Sequence, residues 1–184
     1  MVYSVNENYR LKKMAGLVSE ESRVLDIGCS QYPNPFLRNT IVEGVDLQLA
    51  SLPENYTQLH LGSTEVLPNG LYDAVVAGEI LEHLERPVDF LRECFRLVSP
   101  GGSIVLSTPN PHSLIESLLT LFLNRRFYYT HDHLILFPQR WLIRLLELVG
   151  FVGVVLYSGG FPMPPFGLLP CSRFLPSDHC QSKS

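Results

Sequence analysis

Arg23-Val-Leu-Asp-Ile-Gly-Cys-Ser30 is the stretch on which the fold turns. Residues 23–27 form a short apolar run with one acid near its end. Gly28 closes it, the pattern of a buried strand that delivers its chain into a tight turn. Outward from it, similar runs recur at Ile41 to Val45 (ending on Asp46), Thr57 to Leu61, Tyr72 to Ala77 and Ile104 to Ser107. Between the fourth and fifth runs, Pro87 starts a helical pattern of Val88, Leu91, Cys94, Phe95 and Val98, which stops at Ser99-Pro-Gly-Gly102. Arg140 to Val149 repeats that pattern up to Gly150, Phe151 to Tyr157 reads as a sixth strand, and a polar, helix-compatible segment over 7–18 precedes the first. Strands alternating with helices predict an α/β domain with a mostly parallel sheet of six or seven strands flanked by helices. The ten residues of 47–56 and of 62–71 leave barely enough room for full helices between the second, third and fourth strands.

After Ser158 the composition changes, with five of the 14 prolines falling in 161–184. Phe166 to Phe174 is the stretch that would supply a seventh strand. Otherwise a second copy of the chain would cover that sheet edge, as a homodimer. The reading is one domain over 1–184, with a core at 20–158, an insert at 111–137 on the substrate side and a proline-rich tail at 159–184.

Only 17% of residues are charged, below the roughly 25% usual for soluble proteins, which argues against disorder. The net charge is −4, and the only dense basic pairs are Lys12-Lys13 and Arg125-Arg126, too few to grip a phosphate backbone, so nucleic acid is a poor partner. Cys29, Cys94, Cys171 and Cys180 show no CxxC spacing, so neither a zinc knuckle nor a disulfide framework is indicated. Asn6, Glu7, Asn8, Arg10, Lys12 and Lys13 stand where a signal peptide would be apolar, and Arg144 and Glu147 interrupt the longest apolar region. A cytoplasmic protein without a transmembrane segment is expected.

In an open parallel sheet, ligands bind beyond the carboxyl ends of the strands. The residues there are Asp26-Ile-Gly-Cys-Ser30, Asp46, Gly62-Ser63 and Gly78-Glu79. A dinucleotide site would carry GxGxxG after the first strand, whereas Gly28-Cys-Ser-Gln-Tyr-Pro33 keeps one glycine, and Asp26 would repel a pyrophosphate. A cofactor that lacks phosphate and carries positive charge fits better. S-adenosylmethionine, with its ammonium and sulfonium, is such a molecule, and Asp46, 18 residues past Gly28, is spaced to accept from ribose hydroxyls.

Val24-Leu-Asp-Ile-Gly-Cys29, Gly44-Val-Asp46, Tyr72-Asp-Ala-Val-Val76, Glu79-Ile-Leu-Glu-His83, Arg96-Leu-Val-Ser-Pro-Gly-Gly102 and Ser107-Thr-Pro-Asn110 together resemble the class I S-adenosylmethionine-dependent methyltransferases. The resemblance is strongest to the group that includes the ubiquinone-biosynthesis O-methyltransferases, and it covers residues 20–157. It implies a Rossmann-like sheet and cofactor contacts at Asp26, Gly28, Cys29, Asp46 with Leu47, Gly62, Ser63, Ala77, Gly78 and Glu79. It further implies transfer of a methyl group to a small-molecule acceptor, most simply at oxygen. The chain departs from many relatives at Ser30 and Tyr32, where they have further glycines. It departs again at Ser63, where they have an Asp that accepts from the adenine amino group.

Imidazoles titrate near neutrality and suit proton removal from an acceptor. Of His83, His112, His131 and His133, the favoured catalytic candidates are His133 and then His83; His60 and His179 look incidental. Glu79, Glu82 and His83 share a face if residues 79–83 are helical, and with His131 or His133 they could hold a divalent cation, as in some RNA 3′-end methyltransferases. The plainer reading, in which this ExxEH string orients its helix and lines the pocket, is preferred, and no metal is assigned. Two other functions stand beside the enzyme: a methyltransferase-like module that binds without turnover, and a metal-assisted RNA methyltransferase.

Overall fold

The computed structural model describes residues 5–39, 41–48, 51–110, 133–158 and 170–176. Most of the predicted insert, including His112 and His131, and most of the proline-rich tail lie outside the described residues. The elements are α1 (Val5–Ala15), β1 (Arg23–Ile27), β2 (Ile41–Asp46), β3 (Gln58–Leu61), β4 (Tyr72–Gly78), α2 (Pro87–Leu97), β5 (Val98–Ser107), α3 (Gln139–Val149), β6 (Phe151–Ser158) and β7 (Pro170–Pro176). One-turn 3-10 segments sit at Thr64–Val66 and Leu81–His83.

The sheet order is β3-β2-β1-β4-β5-β7-β6. The first five strands are parallel, while β7 runs antiparallel between β5 and β6. Strand order reverses between β1 and β4, which opens a crevice above their carboxyl ends. Both faces are covered, because the period-2 alternation of each central strand places apolar side chains on both sides. Leu25, Ile27, Val75, Ala77, Ile104 and Leu106 pack with Leu91, Leu97, Leu142 and Leu146 of α2 and α3. Val24, Val42, Ala74, Val76 and Val105 pack with Met14, Val18, Leu37 and Tyr56 on the other face. Among the described residues no helix is long and apolar enough to cross a membrane.

Two local expectations are corrected. β5 begins at Val98 rather than Ile104, since Tyr72 already pairs with Val98 and the register shifts between Tyr72 and Ala74. Gly102 permits this: a Cβ there would sit 2.7 Å from the Asp73 carbonyl oxygen. The 79–83 segment is not an α-helix. Glu79 takes φ 54°, a left-handed conformation that interrupts helical continuity, and only the single turn at 81–83 follows.

At the opposite, amino end of the strands, His60 finds a partner. The buried Glu43 carboxylate accepts from Arg23 Nη2 at 2.5 Å and Tyr72 Oη at 3.0 Å, and meets His60 Nε2 at 2.8 Å. Burial alone would raise the Glu43 pKa, but these bonds together hold it below the ordinary glutamate value.

Candidate functional site

A cavity of about 420 Å³ opens above the ends of β1, β2 and β4, roofed by α1. Of the sequence-predicted residues, Asp26, Gly28, Asp46, Gly78, Glu79 and His83 line it. Cys29 and Ala77 are buried residues of the two core clusters, Leu47 is 76% exposed just past Asp46, and Gly62 and Ser63 turn the chain after β3.

Asp26 is held at the end of β1 and is 5% exposed. The Tyr56 hydroxyl donates to its Oδ2, and the Asn34 amide donates to the same oxygen at 3.4 Å. Burial pushes its pKa up to about 6, against the opposing pull of the Tyr56 and Asn34 hydrogen bonds and of Arg10. Gly28 follows at φ +74°, where a Cβ would approach Ile80 Cδ1 to 2.8 Å, so the turn needs glycine twice over.

Asp46 is aimed by backbone amides. Its Oδ2 accepts from Ser30 N at 2.8 Å and its Oδ1 from Gln48 N at 3.0 Å, and Ser30 Oγ ties back to the Gln48 carbonyl at 2.8 Å. Ser30, in place of a glycine, thus stitches the β1 and β2 loops together. Gly44 in β2 makes room for the Cys29 side chain, whose Sγ would lie 2.4 Å from a Cβ at that position. Burial pushes the Cys29 thiol up to about 12, with the Asp26 and Asp46 charges adding, which makes it a packing group rather than a nucleophile.

At the β4 and β5 ends, Glu79 Oε1 accepts from Ser107 Oγ at 2.8 Å, and Arg10 Nη1 reaches the same hydroxyl at 3.1 Å. Arg10 lines the cavity, and Gly78 leaves space for its guanidinium. The cavity wall therefore carries one cation among Glu7, Asp26, Asp46 and Glu79.

Beyond Glu79 a second set of groups converges. The Glu82 carbonyl accepts from Leu134 N at 2.8 Å and Ile135 N at 3.2 Å, which brings the chain around residue 133 to the 81–83 turn. The rings of His83 and His133 meet edge to face with centroids 4.7 Å apart. One ligand atom each from Glu82, His83 and His133 lies within 4.8 Å of the others. Glu82 is fully buried, and among the described residues neither of its carboxylate oxygens has a hydrogen-bond partner. Burial, then the nearby Glu79 charge, pushes its pKa up to about 8. A carboxylate so placed is either protonated or balanced by a cation.

The sequence assigns no site role to Arg10, Asn34 or Tyr56. Each reaches the site across 8 to 97 residues, and no local pattern marks them.

Comparison with known proteins bears on the family and the fold. The sequence family described as a methyltransferase domain matches residues 9–156. The ubiquinone biosynthesis O-methyltransferase of Dechloromonas aromatica is 36% identical over a 117-residue alignment covering 53% of this chain and 49% of that protein. The enzyme of the same name from Yersinia pestis is 28% identical over 171 residues, covering 79% and 64%. The chain thus spans about half to two-thirds of the length of these curated relatives. Among solved structures, an S-adenosylmethionine-dependent methyltransferase from Archaeoglobus fulgidus shares the fold, with a TM-score of 0.69, 21% identity and 92% coverage of each chain.

Proposed function

The chain belongs to the methyltransferase-domain family, and on that premise we propose that it transfers the methyl group of S-adenosylmethionine to an oxygen of a small-molecule acceptor. The observation that carries this reading is the pair of strand-end carboxylates, Asp26 and Asp46, facing one cavity with Arg10. Asp46, oriented by two backbone amides, is set to accept from a ribose diol. Asp26 supplies negative charge for an ammonium, and Arg10 supplies the positive charge that an α-carboxylate needs. Gly28 and Gly78 lack the Cβ atoms that would press on Ile80 and on the Arg10 guanidinium, so both side chains can stand in the cavity wall. The bound cofactor would supply an electrophilic methyl group on a positively charged sulfur.

The protein's part is alignment, exclusion of water and disposal of one proton. In this reading His83, which lines the cavity, or His133 beside it takes the proton of the acceptor hydroxyl as the oxygen–methyl bond forms. The test is saturable release of S-adenosylhomocysteine with phenolic or other small hydroxylated acceptors. Binding without release under any acceptor would leave a non-catalytic binding module instead.

One observation favours a second reading of the same chemistry: Glu82 is buried next to two imidazoles and, among the described residues, has no hydrogen-bond partner for its carboxylate. Glu82, His83 and His133 would then hold a divalent cation, which would supply Lewis-acid polarisation of the acceptor hydroxyl. The two histidines would in that case be ligands and not bases. Activity that survives a chelator and falls with His133→Ala alone supports the proton acceptor; activity lost to the chelator and restored by added magnesium, manganese or zinc supports the cation.

The homodimer stays part of this proposal. β7 fills the place beside β5, so a second copy would meet the sheet instead at β6, one of its two edges, where Val152 and Val155 are exposed. Light scattering of the purified protein decides it.

A further inference from the structure

The connection between β2 and β3 carries a residue that the methyltransferase reading does not use. Tyr56 is 5% exposed, and its hydroxyl donates to Asp26 Oδ2. The Asn34 amide bonds the Tyr56 oxygen at 2.9 Å as well as the same carboxylate oxygen at 3.4 Å, closing a three-membered cluster. Asn34 is itself fixed on three sides. Its Nδ2 donates to the Leu11 carbonyl at 3.0 Å, its Oδ1 accepts from Phe36 N at 3.0 Å, and its carbonyl accepts from Asn55 Nδ2 at 2.9 Å. Asn55 and Tyr56, adjacent in the chain, thereby clamp the loop after β1. The Tyr56 ring lies against β2, where a Cβ at Gly44 would stand 3.3 Å from its Cδ1. Among the described residues no hydrogen bond reaches Asp26 Oδ1, and Asp26 lines the cavity.

We infer that Tyr56 is a positioning residue of the cofactor site: its hydroxyl occupies one oxygen of Asp26 and leaves the other for the cationic end of the bound molecule. This rests on the cavity being the cofactor site. A hydroxyl donated to a carboxylate favours the ionised form, the form that attracts an ammonium. Asp26 also faces Arg10 from α1, Asp46 from β2 and the Cys29 thiol of its own loop; Glu7, Glu79 and His83 line the same cavity. Of these, Arg10 works with Tyr56, and the acidic groups work against it.

The experiment compares wild type with Tyr56→Phe, which keeps the ring against Gly44 and removes only the hydroxyl. The Asp26 carboxyl carbon is titrated by carbon-13 NMR without ligand, and S-adenosylhomocysteine affinity is measured by calorimetry from pH 5 to 8.5. Wild-type affinity is expected to rise through about pH 6. In Tyr56→Phe both the carbon-13 midpoint and the affinity rise are expected to move upward by about one pH unit. Superimposable profiles overturn the inference, since a tyrosine that only fills space would change the melting temperature and leave the midpoint alone. Should the variant fail to fold, the wild-type Tyr56 Cζ resonance takes its place; it must titrate with the Asp26 midpoint, and a flat trace overturns the contact. Wild-type protein that binds S-adenosylhomocysteine at no pH overturns the cofactor reading and this inference with it. Binding with unshifted profiles removes only the role of Tyr56.

Discussion

Arg10 Nη1 donates to Ser107 Oγ at 3.1 Å across 97 residues of sequence. The bond fastens α1 over the end of β5, and the hydroxyl passes its own hydrogen to Glu79 Oε1. Glu79 is thereby steadied in its left-handed conformation at the rim of the cavity. One guanidinium thus roofs the site and balances its acids.

Replacing that guanidinium should weaken the ligand more than the fold. Arg10→Ala is expected to cost about 1–3 kcal/mol of S-adenosylhomocysteine binding, the scale of a charged hydrogen bond. Calorimetry that finds equal affinity would remove Arg10 from the site.

Asp46→Ala should cost a similar amount, about 1–3 kcal/mol, by removing the ribose acceptor and releasing the Ser30 and Gln48 amides. Asp46→Asn retains one carbonyl acceptor and should lose less. An alanine variant that binds as tightly as the asparagine variant would contradict the assignment.

Asp26→Asn should trade affinity for stability. The folded-state pKa, about 6, lies above the ordinary aspartate value of 3.8. The folded chain therefore holds this proton more tightly, so the favourable contribution is complete below pH 3.8 and is lost as pH rises through 6. At pH 8 the ionised group costs the ligand-free protein about 1–3 kcal/mol. Asp26→Asn is expected to melt higher than wild type at pH 8, to match it near pH 4 and to bind the cofactor more weakly. Thermal melts at the two pH values check the sign.

Gly44→Ala places a methyl group 2.4 Å from Cys29 Sγ and 2.9 Å from Leu59 Cδ1. Overpacking of this kind costs about 1–3 kcal/mol. Adding Cys29→Ala should recover part of the loss by removing the sulfur, leaving the Leu59 contact. Urea denaturation of the four proteins measures the coupling; additive losses would mean that the clash lies elsewhere.

The parallel core was legible because apolar runs, closing glycines and Pro87 are local signals with fixed periods. Asp26, Gly28 and Asp46 were legible for the same reason, since strand ends place them. Tyr56 and Arg10 were not, because a residue before an edge strand and a cation on a polar helix look like solvated positions until the sheet brings them to Asp26 and Ser107. The single turn at 81–83 escaped because ExxEH spacing matches a helical face, while the left-handed backbone of Glu79 that breaks it leaves no mark in composition. Gly101 and Gly102 read as a stop, yet Gly101 turns the chain at φ 80° and Gly102 allows the close approach of β5 to Asp73 of β4.

The short passage from β2 to β3 has one more consequence. β3 is a four-residue strand at the sheet margin, and Tyr56 stands two residues before it. Fraying of that margin would pull the phenol away from Asp26, so loosening of the edge and loss of the ligand anchor would belong to one local opening event. A molecule held at Asp26 would then slow amide hydrogen exchange along Gln58–Leu61, a strand whose residues do not line the cavity.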